Sequence, residues 1–113
     1  MAFARETTVG ITNNLLAMLE RGQDNAVLRY SLGNEFYKAG EWDQAVLHAS
    51  KATEHDSTYS AAWKLLGKAL LKSNREQEAA AVLEQGIAVA EGRGDVQAAK
   101  EMRVFLKRAR DVC

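Results

Sequence analysis

The chain has 113 residues, room for one ordinary domain and too few for two. Hydrophobic residues make up 47% and charged residues 27%, a globular balance that excludes a disordered chain. Fifteen basic residues offset fifteen acidic ones, which argues against a dedicated nucleic-acid binder with its basic excess.

Proline is absent, and Ala, Leu, Glu, Lys and Gln are abundant, so helix is expected throughout. The first helix is predicted over 8–21: Ile11, Leu15, Met18 and Leu19 share one face, Thr7 or Thr8 offers an N-cap, and Gly22 a stop. Further helices are predicted over 26–39, 42–55, 60–73 and 76–91. Their borders carry capping residues: Asp24 or Asn25, Ser57 or Thr58, and Asn74 with Gln77 three residues on. After the break at Gly92-Arg93-Gly94, Asp95 can cap a last helix over 95–110, whose apolar stripe is Ala98, Met102, Phe105, Leu106 and Ala109.

The middle of the chain repeats itself. Leu32-Gly33 recurs as Leu66-Gly67, Phe36 as Leu70, Gln44 as Glu78 and Ala45 as Ala79, each at a separation of 34 residues. Glycine inside a helix costs about 1 kcal/mol relative to alanine, so Gly33 and Gly67 point to places where neighbouring helices approach closely. Trp63-Lys64-Leu65-Leu66-Gly67-Lys68-Ala69-Leu70, followed by Ala79 and Leu83, resembles the signature of the tetratricopeptide repeat. The other copy supplies Arg29, Leu32, Gly33, Phe36, Ala45 and Ala49 at the same spacings, with Gly40-Glu41-Trp42 at the turn between its helices. It departs from the family pattern in having Arg29 where an aromatic is expected. The closing proline is also missing, with Ser57 and Glu91 near its place.

The resemblance covers about Ala26 to Glu91 and implies an all-α, right-handed helix-turn-helix solenoid of about six antiparallel helices. The expected organisation of 1–113 is a half-repeat helix at 8–21, repeats at 26–59 and 60–93, and a C-terminal capping helix at 95–110, since solenoids need about three units and a polar cap. It also implies a protein- or peptide-binding adaptor without catalytic activity, in which the first helix of each pair lines a concave groove.

On that division the expected groove helices are basic. Arg29 and Lys38 face Glu35 on one, and Lys64, Lys68 and Lys72 stand alone on the other. The expected back helices carry Asp43 and Glu54 against Lys51, then Glu76, Glu78, Glu84 and Glu91. Lysines at i, i+4 and i+8 repel by a few tenths of a kcal/mol per pair. The ladder is therefore either a surface for an acidic or extended peptide or a face solvated and screened by salt. Tyr30, Asn34, Tyr37 and Lys38 fall on the same face of the preceding groove helix. Asn34 could hold a peptide backbone, and the tyrosines are either contact area or ordinary packing. Some family members clamp a carboxylate with Lys and Asn from successive groove helices. Asn34 matches that pattern, but Tyr30 and Leu65 stand where a Lys and an Asn are expected, so this particular clamp is not predicted. Both lysines at 64 and 68 are expected to face solvent, so reversing their charge should spare folding.

Nothing else in the sequence suggests chemistry. His48 and His55, seven apart without further ligands, are expected on a helix surface or end. Glu76 and Glu78 face different directions on a helix, Gly92-Arg93-Gly94 is no phosphate loop, and Cys113, the only cysteine, allows no intrachain disulfide. No cofactor or metal is expected. No apolar run approaches the roughly 18 residues that span a bilayer, and Met1 to Gly10 has no signal-peptide core, so a cytoplasmic, membrane-free protein is expected. Two alternatives have their own motives. Lys100, Arg103, Lys107 and Arg110 recur on one face of the last helix, where they would track phosphates or simply be solvated. Short open solenoid ends, with Trp42 as an apolar patch, would favour homo-oligomerisation or a place in a larger assembly.

Overall fold

The apolar rhythm of the sequence becomes six helices in a computed structural model, which describes residues 2–111, with side chains from Gly10 onward. They are α1 (Ala2–Glu20), α2 (Ala26–Lys38), α3 (Trp42–His55), α4 (Ser60–Lys72), α5 (Glu76–Gly92) and α6 (Val96–Asp111). Among the described residues there is no strand. Asn25 caps α2, its Oδ1 accepting from Leu28 N at 2.9 Å, and Asp95 caps α6, its Oδ1 accepting from Ala98 N at 3.2 Å. Three borders differ from expectation. Helix α1 starts at Ala2, so Thr7 and Thr8 lie within it rather than at its cap. Asn74 has φ 60°, so it closes α4 in the left-handed conformation that asparagine tolerates and does not start α5. Before α4, the side chain that organises the turn is Asp56, which accepts from the Thr58 amide at 3.0 Å and hydroxyl at 2.7 Å.

Sequential helices pack as antiparallel pairs, and α4 also touches both α2 and α6. No comparable approach joins α3 to α5. Helices on the inside of a bend come closer than those on the outside, so α2, α4 and α6 form the inner layer of a curved stack. The core between layers holds Ala49, Trp63, Leu66, Leu70, Leu83 and Met102. Its spacing is set by glycine, as the sequence suggested: a Cβ on Gly33 would lie 3.2 Å from the backbone nitrogen of Ala49, and one on Gly67 would run into Leu83. A third site, Gly86, went unread in the sequence. There a Cβ would sit 2.6 Å from Met102 Sδ and 2.7 Å from Trp63 Cβ, where α5 meets α4 and α6.

Trp63, at the family's aromatic position, is buried and donates its indole N–H to the carbonyl of Ser57 at 2.9 Å. That bond ties α4 to the turn before it. Ser60 Oγ donates to Asp95 Oδ2 at 2.8 Å and joins the starts of α4 and α6.

Candidate functional site

The inner face is built from one strip of each inner helix. Lys64 and Lys68 lie on the α4 strip, Tyr37 on the α2 strip, and Glu101, Phe105 and Arg108 on the α6 strip. Helical spacing of three to four residues keeps each set on one side. Lys68 is central: its Nζ is 4.8 Å from the ring centroid of Tyr37 and 5.8 Å from that of Phe105. Both distances fall within cation–π range, so two rings on flanking helices supply negative faces to one ammonium. Burial, and then the neighbouring charge of Lys64, lower the Lys68 pKa from its ordinary value. Tyr37, half-buried, has its phenol pKa raised by burial.

The remaining cations are occupied differently. Lys64 Nζ lies 3.0 Å from Glu101 Oε1, with side chains 27% and 41% exposed, so this pair spans α4 and α6 at the surface of the inner face. Lys72 sits 5.6 Å over Trp42, which in turn meets Tyr37 edge-on at 5.2 Å. Lys38 pairs with Glu35 at 2.9 Å, and Glu35 is only 8% exposed. Tyr30 leans on Tyr59 at 5.1 Å, and Asn34 is half-buried beside it on α2. The seven residues singled out in the sequence thus do not form one patch. Tyr37, Lys64 and Lys68 come together, Lys72 joins through Trp42, and Tyr30 and Lys38 are taken up by local partners.

Two expectations need correction. Lys64 and Lys68 are half-buried and engaged with α6 and α2 rather than freely solvent-facing, because α6 lies directly alongside α4. Trp42 is likewise packed between Tyr37 and Lys72, so it leaves no bare apolar patch. Sequence reasoning assigned Glu101 no role and Phe105 only to the apolar stripe of a capping helix. Their signal was the 3–4 spacing of Glu101, Phe105 and Arg108, which places them on one flank.

Arg29, which replaces the expected aromatic, organises the other end of the stack. Its guanidinium donates twice to Asp24, Nε to Oδ1 at 2.7 Å and Nη2 to Oδ2 at 2.9 Å. Its Nη1 lies 3.1 Å from His48 Nδ1. Arginine can only donate, so Nδ1 must accept and the imidazole is neutral, with its proton on Nε2. His48 is not on the surface, as expected, but 4% exposed, stacked on Phe36 at 5.4 Å with a 7° interplanar angle. Burial, then the Arg29 charge, lower its pKa. His55 does stand at a helix end, its Nε2 2.9 Å from Asp24 Oδ1. The Arg29 hydrogen bond is the leading cause that holds the Asp24 carboxyl at about 2.

The basic stripe of α6 is partly neutralised by the back of α5. Arg103 pairs with Glu91, and Arg110 with Glu84 at 2.8 Å. Arg75 pairs with Glu78 at 2.8 Å, so one of the two neighbouring acids at the start of α5 is already engaged. Among the described residues no three His, Cys, Asp or Glu side chains are grouped to hold a metal, and no helix is long and apolar enough to cross a membrane. Cys113 lies outside the described residues.

A family model described as tetratricopeptide repeat matches residues 36–102. A TPR repeat-containing protein of Pseudomonas aeruginosa is 46% identical over 91 residues, covering 80% of this chain and 87% of that protein. A Bordetella parapertussis protein of known solution structure is 42% identical, with a TM-score of 0.77 over 89% of this chain and 88% of that one. The TPR2B domain of yeast Sti1, in a structure described as its complex with pHsp70, shares the fold at a TM-score of 0.87 over 98% of this chain and 89% of that one, with 15% identity.

Proposed function

Because this chain belongs to the tetratricopeptide-repeat family, we propose that it is an adaptor whose inner face takes an acidic, extended peptide segment. Tetratricopeptide-repeat folds mediate protein–protein interaction, and such proteins are generally non-enzymatic. The finer reading divides the chain into repeats at 26–59 and 60–93 and uses the faces of α2, α4 and α6. It rests on one observation: Lys68 stands at the middle of that face with aromatic rings on both sides and no ion pair among the described residues. A partly desolvated cation flanked by rings suits a carboxylate beside an apolar side chain, since both contacts form in one place. Tyr37, Phe105, Lys64 and Lys72 are the surrounding contacts, with Asn34 and Tyr30 further along α2.

The test compares wild type with Lys68→Met, which keeps the aliphatic stem packed on the rings and removes only the charge. An array of acidic, neutral and basic decapeptides is probed with both proteins. Acidic peptides should be retained by wild type and lose roughly tenfold in signal with the variant, the scale of one charge-assisted hydrogen bond. Equal retention of neutral and acidic peptides would refute the reading.

Self-association is a second reading with its own observation. From Gly10 to Glu20, α1 has no buried residue and touches only α2, leaving Ile11 42% exposed. No charged side chain falls between Thr7 and Leu19, so two copies could meet there without repulsion. The α6 stripe carries no comparable support for nucleic acid, because two of its four cations already face carboxylates.

A further inference from the structure

Lys64 and Lys68 stand one helical turn apart on α4, and the structure resolves their repulsion in two ways. Lys68 turns to the rings of Tyr37 and Phe105. Lys64 is met by a carboxylate from another helix, Glu101 Oε1 at 3.0 Å, 37 residues away in sequence. That carboxylate also bears on Lys68: its charge favours the protonated ammonium, against the burial and the Lys64 charge that oppose it. The inner face therefore already holds a carboxylate that is paired with one cation and near enough to the second for its charge to act there. Its side chain is 41% exposed, so it is held by the ion pair and not by enclosure. A half-exposed ion pair is worth at most about 1 kcal/mol, little enough for an incoming anion to displace.

We propose that Glu101 is a resident competitor on the peptide-binding face: it occupies Lys64 until a ligand carboxylate replaces it, and so sets how acidic a segment must be to bind. The proposal rests on the reading of this face as a site for acidic peptides. It makes Lys64 silent in the free protein and Lys68 the cation a ligand meets first. A segment with one carboxylate engages Lys68 alone; one with two or more can also displace Glu101 from Lys64. The face thereby prefers acidic runs over single acids, through a repulsive element that lies in the protein itself.

The experiment measures fluorescence anisotropy of a fluorescein-labelled hexaglutamate peptide, with hexaglutamine as the uncharged control. Glu101→Gln should bind hexaglutamate roughly threefold to tenfold tighter than wild type, the range of a partly exposed charge pair. Glu76→Gln, the same charge change on the outer layer, should alter affinity less than twofold, because that site is remote and screened. Lys64→Met should weaken hexaglutamate binding less than about threefold in wild type, where Glu101 must first be displaced, and roughly threefold to tenfold in the Glu101→Gln background, where Lys64 is already free. Circular dichroism checks that each variant is folded. If Glu101→Gln binds no tighter than wild type, or no tighter than Glu76→Gln, the competitor role is overturned while the acidic site stands. If Lys64→Met weakens binding by the same factor in wild type and in Glu101→Gln, Glu101 does not compete for Lys64 and the proposal fails. If neither wild type nor Glu101→Gln prefers hexaglutamate to hexaglutamine, the acidic-peptide reading itself fails, and this inference with it.

Discussion

Gly86 gives the sharpest test of how the layers are spaced. An alanine Cβ there would come within 2.6 Å of Met102 Sδ and 2.7 Å of Trp63 Cβ. The thioether can turn aside, being flexible, but Met102 is fully buried and its room is limited. The Trp63 contact is worse, because a Cβ moves only with its backbone, and the indole is also fixed by its bond to Ser57. Overpacking costs about 1–3 kcal/mol in general, and two contacts below 3.0 Å, one of them to a Cβ, put Gly86 at about 2–3 kcal/mol. Alanine recovers about 1 kcal/mol of helix propensity. Gly86→Ala should therefore lose roughly 1–2 kcal/mol net, the larger clash outweighing the propensity gain. For a domain of this size that lowers Tm by roughly 5–15 °C. The internal control is Gly10→Ala in α1, where nothing among the described residues lies within 4 Å and the propensity term dominates. Thermal and urea unfolding followed by circular dichroism at both sites separates the two terms. A Gly86→Ala protein as stable as wild type would refute the claim that this glycine sets the distance of α5 from α4 and α6.

Stability should fall below pH about 6.5, the ordinary histidine value from which His48 is lowered. Unfolded His48 binds a proton there and the folded residue does not, so the loss grows until the folded pKa is passed. Urea midpoints between pH 7.5 and 5 should show this slope, and His48→Gln should flatten it; an unchanged slope in the variant would exclude His48. Asp24 works lower down: its carboxyl is depressed from 3.8 to about 2, so its contribution is present above pH 3.8 and lost as pH falls toward 2, a loss that Asp24→Asn should abolish. Lys68→Glu, read by the same unfolding assay, should cost about 1–2 kcal/mol, since it exchanges two cation–ring contacts for an anion facing both rings. Lys72→Glu, with one ring and more solvent, should cost about 0.5 kcal/mol. If α1 mediates self-association, sedimentation across a concentration series should show dimer at high concentration, and Ile11→Lys should return it to monomer.

The fold was legible because its constraints are periodic. Leu32-Gly33 and Leu66-Gly67 repeat at one spacing, and the clashes awaiting a Cβ at those glycines explain why the spacing is kept. Helix borders were legible where one side chain decides them, as at Asn25 and Asp95, and less so at Asn74, where a left-handed backbone and an N-cap favour the same residue. His48 was misplaced because a lone polar residue on a helix reads as exposed. Its burial depends on Arg29, nineteen residues earlier, and on the plane of Phe36. The inner face was half legible. The lysine ladder is visible within α4, but two of its partners, Glu101 and Phe105, come from α6, which lacks the family signature and so suggested only a cap.

The replacement of the family's aromatic by Arg29 and the placement of Glu101 obey one logic. At each point a cation that would be exposed or repelled gains a carboxylate from a neighbouring segment: Asp24 for Arg29 and Glu101 for Lys64. The settings differ in what holds the carboxylate. Asp24 accepts from Arg29 through both oxygens and from His55 as well, so three bonds from two residues must break before it leaves. Glu101 is held by one lysine, across a surface open to solvent. A bidentate arginine pair fixes geometry, whereas a lysine pair is a point charge that tolerates exchange of its partner. The same electrostatic device thus serves as a rivet between α2 and α3 and as a replaceable contact between α4 and α6. The exchangeable one lies beside Lys68, the cation that has rings in place of a carboxylate.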